Sequence, residues 1–355
     1  MRRNGTIKAN VKIGIEVLLM PYGTEAFGNV NGEEISLQFI GATEDKHWLF
    51  PFVKQRLFGN EPVTETECKI EKEGDLRLEI VGKGEAEKRA VPDGVWTLPF
   101  RIHQAVDTRR PFSELVQSMA KQERKRRRKN EGRFVYEVAE KESDFFAFYY
   151  NMHKPTIDNR HGDSAISEPV DTAFEKLFKS GKLFLVKENG LAVSGGLCAI
   201  NKAHRRLDAR LIGVAGGEAR HRQSGAQAAV YDFLLEWACG ESDIDEVDFQ
   251  GGEPFLSKGT VQYKKRFATT VKWPPAAFAD KRVLLSANIE SPAIKHFLLN
   301  NPVFLAKGDA IGCGFFTDET KKPRYDLAVR TPGVEFETEL NLGVTSPSRQ
   351  HQPAF

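Results

Sequence analysis

The sequence predicts an α/β (α+β) chain: a mixed sheet with flanking helices, preceded by a β-rich N-terminal part. Three observations carry that prediction. Leu207–Val214 is apolar and β-branched with Asp208 and Arg210 interleaved at period two, a helix capped by Ser224 runs to Gly240, and Glu246–Gln250 is a second strand. Such a strand–helix–strand unit is a crossover, which makes its strands parallel. Lys182–Lys187 and Leu191–Ile200 flank Asn189-Gly190, a hairpin signal that adds antiparallel strands. Residues 1–95 hold only short strand-like runs between Gly-containing turns.

The totals bound the problem. A chain of 355 residues should form two or three units, and 28% charged with 40% hydrophobic residues is ordinary for a soluble globular protein. The net charge of +2 singles out no polyanionic partner, so any electrostatic argument rests on local clusters. Cys68, Cys198, Cys239 and Cys313 are scattered without a CxxC pair, which points to buried free thiols and away from disulfides or zinc. Val11–Met20 is interrupted by Lys12 and Glu16, and no run approaches the roughly 18 apolar residues of a spanning helix. The expectation is a cytoplasmic protein without membrane insertion.

In chain order, Val11–Met20, Glu34–Ile40, Glu67–Glu71 and Leu76–Val81 are short strands, with Asn31-Gly32 a hairpin tip. Trp48–Phe58 is core, either strand or short helix. After a joint at Asp93-Gly94, Val95–His103 is a strand. Pro111 opens a helix with Phe112, Leu115, Val116 and Met119 at helical spacing, and it ends in the basic run Lys121–Lys129. That run is a solvated helix end that complements the dipole, or a phosphate-backbone contact. Phe134–Val138 is a strand and Glu142–Met152 an aromatic helix. A polar loop, His153–Gly162, is placed to meet an acceptor, and Asp171–Lys179 is a short helix.

Within the Leu191–Ile200 strand, Gly195-Gly196 marks a ligand approach or close helix packing, with nothing to choose between them. Ala215–Ala226 is too rich in Gly and Arg for core. Free amides at the head of the following helix, with Arg220 and Arg222 beside them, suit an anionic phosphate. That helix buries Ala226, Val230, Phe233, Leu234 and Trp237. Gly251-Gly252 then leads into Tyr263, Lys264, Lys265, Arg266 and Phe267, a basic-aromatic cluster or a charged edge. Val283–Asn288 and Ala310–Phe316 are strands around a helix over Pro292–Leu299, and Ser, Pro, Gln and His dominate from Leu340 onward.

The run Leu183–Phe267 resembles the GNAT acyltransferase core, whose acyl-CoA pyrophosphate sits on a Gln/Arg-x-x-Gly-x-Gly/Ala turn. Arg222 and Gly225 match that pattern, while Gln227 replaces the last small residue. Phe148-Tyr149-x-x-Met152-x-x-Pro155 with Arg160-x-Gly162, and Val247–Gly252 running into Tyr263-Lys264-x-Arg266-Phe267, resemble the Fem-like branch. That branch comprises aminoacyl-tRNA-dependent peptidyltransferases and their CelD-type acetyltransferase relatives. The resemblance covers roughly 96–275. It implies a GNAT-like mixed sheet there, with the β-rich part over 1–95 open to being a degenerate second repeat; around it the chain reads as an extension over 276–339 completing or capping the sheet and, from composition, a disordered tail over 340–355.

The same resemblance implies direct transfer of an acyl group from acyl-CoA (acetyl-CoA) to an amine acceptor, without a metal. Such a step needs a fixed donor, a polarised carbonyl and a deprotonated nucleophile. Arg220, Arg222, Gln223, Ser224, Gly225 and Ala226 would hold the donor, and a backbone N–H of Leu211–Val214 would polarise the carbonyl. Asp248 and Glu253 are the candidate bases, Tyr263 or Tyr231 would protonate the leaving group, and Lys264 would stabilise charge. Tyr149, His153 and Arg160 would meet the acceptor. Two rivals are an aminoacyl-tRNA donor, favoured if Lys121–Lys129 and Lys264–Arg266 share a face, and a non-catalytic binding module, motivated by Gln227.

Overall fold

The computed structural model describes residues 21–90, 92–161, 167–343 and 350–351. The expected strand Val11–Met20 lies outside the described residues. Strands β1 (Tyr22–Val30) and β2 (Glu33–Ile40) form the hairpin at Asn31-Gly32, both at positive φ (54° and 89°). Next come α1 (Thr43–Phe58), β3 (Val63–Lys69), β4 (Leu76–Gly82), α2 (Lys83–Lys88) and β5 (Val95–Pro99). Trp48–Phe58 is helical: Leu49, Phe50, Val53 and Leu57 recur at helical spacing and are buried together.

The expected strand Val95–His103 is two strands. The chain leaves β5, turns at Phe100-Arg101 and enters a different sheet as β6 (Ile102–Asp107). One helix was expected next, but two form, α3 (Phe112–Ser118) and α4 (Lys121–Lys129). The break comes where Met119 is extended (ψ 155°) and the Ala120 N–H donates to Arg266 O at 2.8 Å.

After β7 (Val135–Ala139), α5 (Glu142–Phe148) runs through a π-helical turn, Tyr149–His153, into α6 (Lys154–His161). The acceptor loop expected over His153–Gly162 is therefore helix as far as His161, and Gly162 lies outside the described residues. Its polar residues fooled the pattern because they bond to the end of β10 and the turn after it: Thr156 donates to Val214 O (3.4 Å) and Asn159 to Gly217 O (3.4 Å). A widened turn also removes the need for the N–H that Pro155 lacks.

A short α7 (Val170–Thr172) and a π-turn (Ala173–Phe178) lead to β8 (Lys182–Glu188), β9 (Leu191–Asn201) and β10 (Arg206–Val214). Then follow α8 (Ala219–Gln223), α9 (Ala226–Gly240), β11 (Glu246–Gly252), α10 (Gly259–Lys264) and β12 (Thr270–Lys272). Tyr263–Phe267 thus belongs to helical turns, not to a strand edge. The chain ends with α11 (Ala276–Ala279), β13 (Lys281–Ala287), α12 (Pro292–Asn300), β14 (Val303–Lys307), β15 (Ala310–Thr317), β16 (Phe336–Asn341) and β17 (Gln350–His351).

Three sheets result, ordered β3-β1-β2-β4-β13-β5, β12-β6-β11-β10-β9-β8-β7 and β14-β15-β16-β17. The mixed α/β architecture with helix-flanked sheets is as expected. A second acyltransferase-like repeat is not shown in the first sheet. That sheet takes β13 from the C-terminal extension, which adds no strand to the sheet holding β10 and β11 but packs Phe304, Phe315, Val329 and Val334 against Ile102, Val261 and Val271 of that unit. Leu340 and Asn341, expected to open a disordered tail, finish β16 through its parallel pairing with β15. Residues 344–349 and 352–355 lie outside the described residues.

Helix α9 is the centre of the seven-stranded unit. Ala226, Val230 and Leu234 pack on Leu207, Val247 and Phe249, and α3 and α4 cover its outer side. A helix apolar on nearly all sides belongs between two layers. The opposite face of the sheet takes Phe145, Phe148, Met152 and Leu177 against Leu183, Leu197 and Leu211. Gly195 and Gly196 serve that packing: a Cβ would sit 2.9 Å from the Phe148 ring at one and 2.7 Å from Val230 at the other. Helix packing accounts for both glycines.

Candidate functional site

Strands β10 and β11 pair in parallel as Arg206↔Glu246, Leu207↔Val247 and Asp208↔Asp248, and the pairing stops there. Both strands are irregular just beyond. β10 shifts register against β9 between Ala209 and Leu211, and β11 shifts against β6 between Asp248 and Gly251. Gln250 takes φ +67°, a left-handed conformation that a non-glycine residue holds only under outside constraint. The two parallel strands part beyond Asp208 and Asp248.

Three ionisable side chains converge on it. Asp248 lies on β11 and His103 on β6, with Nδ1 of the ring 2.8 Å from Asp248 Oδ2, both buried. Asp248 Oδ1 accepts the Gln250 N–H at 2.6 Å, and Arg206 Nε lies 3.9 Å from Oδ2. Burial opposes the carboxylate's charge, but the His103 hydrogen bond and charge, the Gln250 amide and Arg206 together hold its pKa below the usual range. In the tautomer that donates from Nδ1, His103 Nε2 is a base, and it has no partner among the described residues.

Lys264, at the end of α10, donates to Gln250 O (2.8 Å) and Gly251 O (3.4 Å). Burial lowers its pKa to about 8, with Asp248 opposing that shift and Arg101 reinforcing it. Two carbonyls use two of the three ammonium protons, which leaves one donor. Arg101 lies at the crossing between the sheets, 4.6 Å over the Trp48 ring, and Glu253 pairs with Lys258 at 2.6 Å. Gly251 is needed here: a Cβ would come within 2.8 Å of His103 Cδ2 and Nε2. Asp248 and Lys264, chosen from sequence, therefore come together, Glu253 acts on Lys264 only as a nearby charge while paired with Lys258, and His103 was missed. The only trace of His103 in the sequence is its place in an apolar strand, 145 residues from its partner.

Tyr263 does not join them. Its ring packs with Tyr231 (5.6 Å) and Phe267 (5.4 Å), and the charges felt there are Arg126, Glu123 and Asp232 rather than Asp248. Burial pushes its phenol well above the ordinary pKa, and neighbouring residues on one helical turn point to different sides. On the other face, Tyr149 donates to Glu168 O (2.7 Å). His153 bonds to Ile212 O (3.1 Å) and Ser167 Oγ (2.7 Å), and burial lowers its pKa. Both are buried in packing. The Arg160 side chain lies outside what the structure describes.

The expected phosphate cradle is partly covered. Gly225 starts α9 at φ +92°, with no side-chain cap. Arg222 Nη1 donates to Gly217 O (2.8 Å), Arg220 pairs with Glu218 (2.7 Å), and Asn130 of the adjoining turn donates to Ser224 O (3.3 Å). Gly225 and Ala226 are buried, while Gln223 is exposed. Along β10, the Val214 N–H donates to Thr156 Oγ1 at 2.9 Å, so that amide is not free to polarise a carbonyl.

The basic run also divides. Arg126 pairs with Glu123 (2.6 Å) and Asp232 (3.1 Å), and Arg127 with Glu236 (3.6 Å). Lys121, Lys125, Arg128 and Lys129 are exposed, and none makes an ion pair among the described residues. Among those residues, no helix is long and apolar enough to cross a membrane.

No protein-family model matches the chain, and no curated protein does. Among solved structures, the chain is similar to FemX at 12% identity and TM-score 0.40, over 73% of this chain and 83% of that one. It is similar to L-PGS from Bacillus licheniformis at 11% identity and TM-score 0.37, over 78% and 85%. A GCN5-related N-acetyltransferase from Kribbella flavida follows at 12% identity and TM-score 0.30, over 59% and 68%. Likenesses this distant leave the chemistry to be argued from the His103–Asp248–Lys264 geometry itself.

Proposed function

We propose that this protein transfers an acyl group from an activated ester or thioester to an amine, with His103, Asp248 and Lys264 as the working centre. The carrying observation is the convergence of a buried His–Asp pair and a lysine of lowered pKa where β11 leaves β10. His103 Nε2 takes the proton of the attacking amine, and Asp248 holds the ring and balances its charge. The nitrogen adds to the donor carbonyl carbon, and the remaining Lys264 N–H meets the oxyanion. Collapse breaks the carbon–sulfur or carbon–oxygen bond, and the proton on His103 passes to the leaving group, giving an amide and a thiol or alcohol. Glu253 steadies the cations around Lys264.

Acyl-CoA is the first donor to test, because the parted strands and the glycine-started helix lie next to each other. The aminoacyl-tRNA reading has its own support in the covered helix head and in the four exposed cations of α4. That helix also adjoins Arg266, which is 3.6 Å from Glu123. The test follows thiol release from acetyl-CoA and deacylation of charged tRNA, each with a panel of amines, in wild type and His103→Gln. Consumption of one donor that collapses in the variant supports the reading and names the donor. If neither donor is consumed, or the variant is as active as wild type, the proposal fails.

A further inference from the structure

Arg101 lies in the turn between β5 and β6, just ahead of His103, and its guanidinium is uncommitted. It stands 4.6 Å over the Trp48 ring and 6.0 Å over the Phe278 ring, so α1 and α11 together seat it. Nη1 donates to Trp48 O at 3.4 Å, while Nε and Nη2 have no hydrogen bond, and the side chain no ion pair, among the described residues. With this same Nε–Nη2 edge, Arg109, Arg205, Arg206 and Arg324 each hold an aspartate. Arg101 is partly exposed, and neither free nitrogen is among the polar atoms buried without a partner. The same holds for His103 Nε2. Burial lowers the Arg101 pKa and the charge of Glu253 opposes that, but the Glu253 carboxylate is itself paired with Lys258 at 2.6 Å.

An open Nε–Nη2 edge is the two-point fork that fits a carboxylate. Its place relative to His103 fixes where that carboxylate belongs. A side-chain carbon built on Gly251 would lie 2.8 Å from His103 Nε2 and 3.2 Å from Arg101 Nε, so the two nitrogens are no more than about 6 Å apart. Gly251 is partly exposed and puts no side chain between them. Each hydrogen bond spans about 3 Å, so an amine on His103 and an anion on Arg101 must be close neighbours in one molecule. An α-amino acid, with a single carbon between amine and carboxylate, has that spacing. Its two charges also match the site, with Asp248 behind the amine and Arg101 at the carboxylate. We propose that the acceptor is a free α-amino acid, its carboxylate held by Arg101 while its α-nitrogen faces His103 Nε2. This rests on the transfer reading above and names the acceptor class for it. The new bond joins the α-nitrogen to the acyl carbon, and the amine proton passes through His103 to the leaving group. The product is an N-acyl amino acid with its carboxylate intact.

The test compares the common L-α-amino acids with their α-carboxamides, which keep the amine and side chain and lose the anion. Calorimetry on the full chain reads binding, and kcat/KM with whichever donor is consumed reads transfer. At least one amino acid should bind about tenfold or more tightly than its carboxamide, the worth of a charge-assisted two-point contact. The same preference should appear in kcat/KM. Arg101→Met should bring acid and carboxamide close to equality. Taking that ratio cancels any effect of the lost cation on Lys264, which both substrates share. Arg101→Lys, which keeps the charge over Trp48 without the fork, should keep only part of the preference, and it decides if Arg101→Met does not fold. No amino acid binding better than its carboxamide, or a preference unaltered in the variants, would overturn the proposal. Binding through Arg101 without acyl transfer would leave this site standing and remove the transfer reading. Transfer to amines that ignores the carboxylate would do the reverse.

Discussion

The two sides of the seven-stranded sheet each bury an aspartate beside a cation, and they treat it in opposite ways. Asp248 is held below the ordinary carboxylate range, while burial pushes Asp232 up to about 6. Both are almost fully buried, so depth does not explain the contrast. Asp248 has both oxygens engaged, one by His103 and one by the Gln250 amide. Asp232 has one oxygen on Arg126 and the other without a hydrogen-bond partner among the described residues. Hydrogen bonds to the charged form decide which way a buried carboxyl moves. The first arrangement is suited to orient a base, and the second favours the protonated carboxyl.

The largest effect that would sharpen this contrast is in catalysis. His103→Gln should lower single-turnover acyl transfer by about 10² to 10⁴ with the fold intact, because a positioned base contributes that much. Circular dichroism on the same sample guards against misfolding, and near-wild-type turnover would remove His103 from the reaction. Lys264→Met should slow transfer by about 10² to 10³. It should also abolish a fall in rate above pH 8, where wild-type Lys264 (pKa about 8) loses the proton that meets the oxyanion. A pH–rate profile that keeps this limb in the variant would place it elsewhere.

Smaller effects test stability. Because the Asp232 pKa is raised when folded, its contribution is fully present in acid and is lost as pH rises through about 6. Asp232→Asn should therefore match wild type near pH 4 and gain on it between pH 5 and 7, by up to about 3 kcal/mol. Asp248→Asn should do the reverse, being most destabilised at neutral pH and approaching wild type in acid. Denaturant melts check the signs, from pH 4 to 7 for Asp232→Asn and from neutral pH to well below the ordinary aspartate value of 3.8 for Asp248→Asn, and parallel curves over the whole span would show that the two aspartates are equivalent. Asn130→Ala, which removes the contact to Ser224 O, should lower stability by only about 1 kcal/mol.

Much of the architecture was legible. A period-two run located β10, the apolar segments flanking Asn189-Gly190 located β8 and β9, and the helix between Ser224 and Gly240 followed by a short strand implied the parallel pairing of β10 with β11. Elements failed where tertiary partners overrode local pattern. The polar segment after His153 became helix because Thr156 and Asn159 bond to the end of β10 and the turn after it, and the 111–129 helix broke where Ala120 bonds to Arg266. At the site, Asp248 and Lys264 were reachable because they lie within one short stretch. His103 was not, since a histidine in a strand looks the same whether it faces a carboxylate or fills space. Tyr263 misled for the same reason, as adjacency in sequence on a helix places it on the other side from Lys264.

By itself, the sequence determined the periodicities, the turns and the crossover, because these follow from backbone sterics and burial within a few residues. It also determined that β10 and β11 run side by side, and so where a parting could occur. Only the tertiary structure decided which charges meet there. Contacts such as His103 with Asp248, Arg126 with Asp232 and Asn130 with Ser224 join residues about a hundred positions apart. Their electrostatics depend on burial and hydrogen bonding that exist only once the sheets and helices have packed.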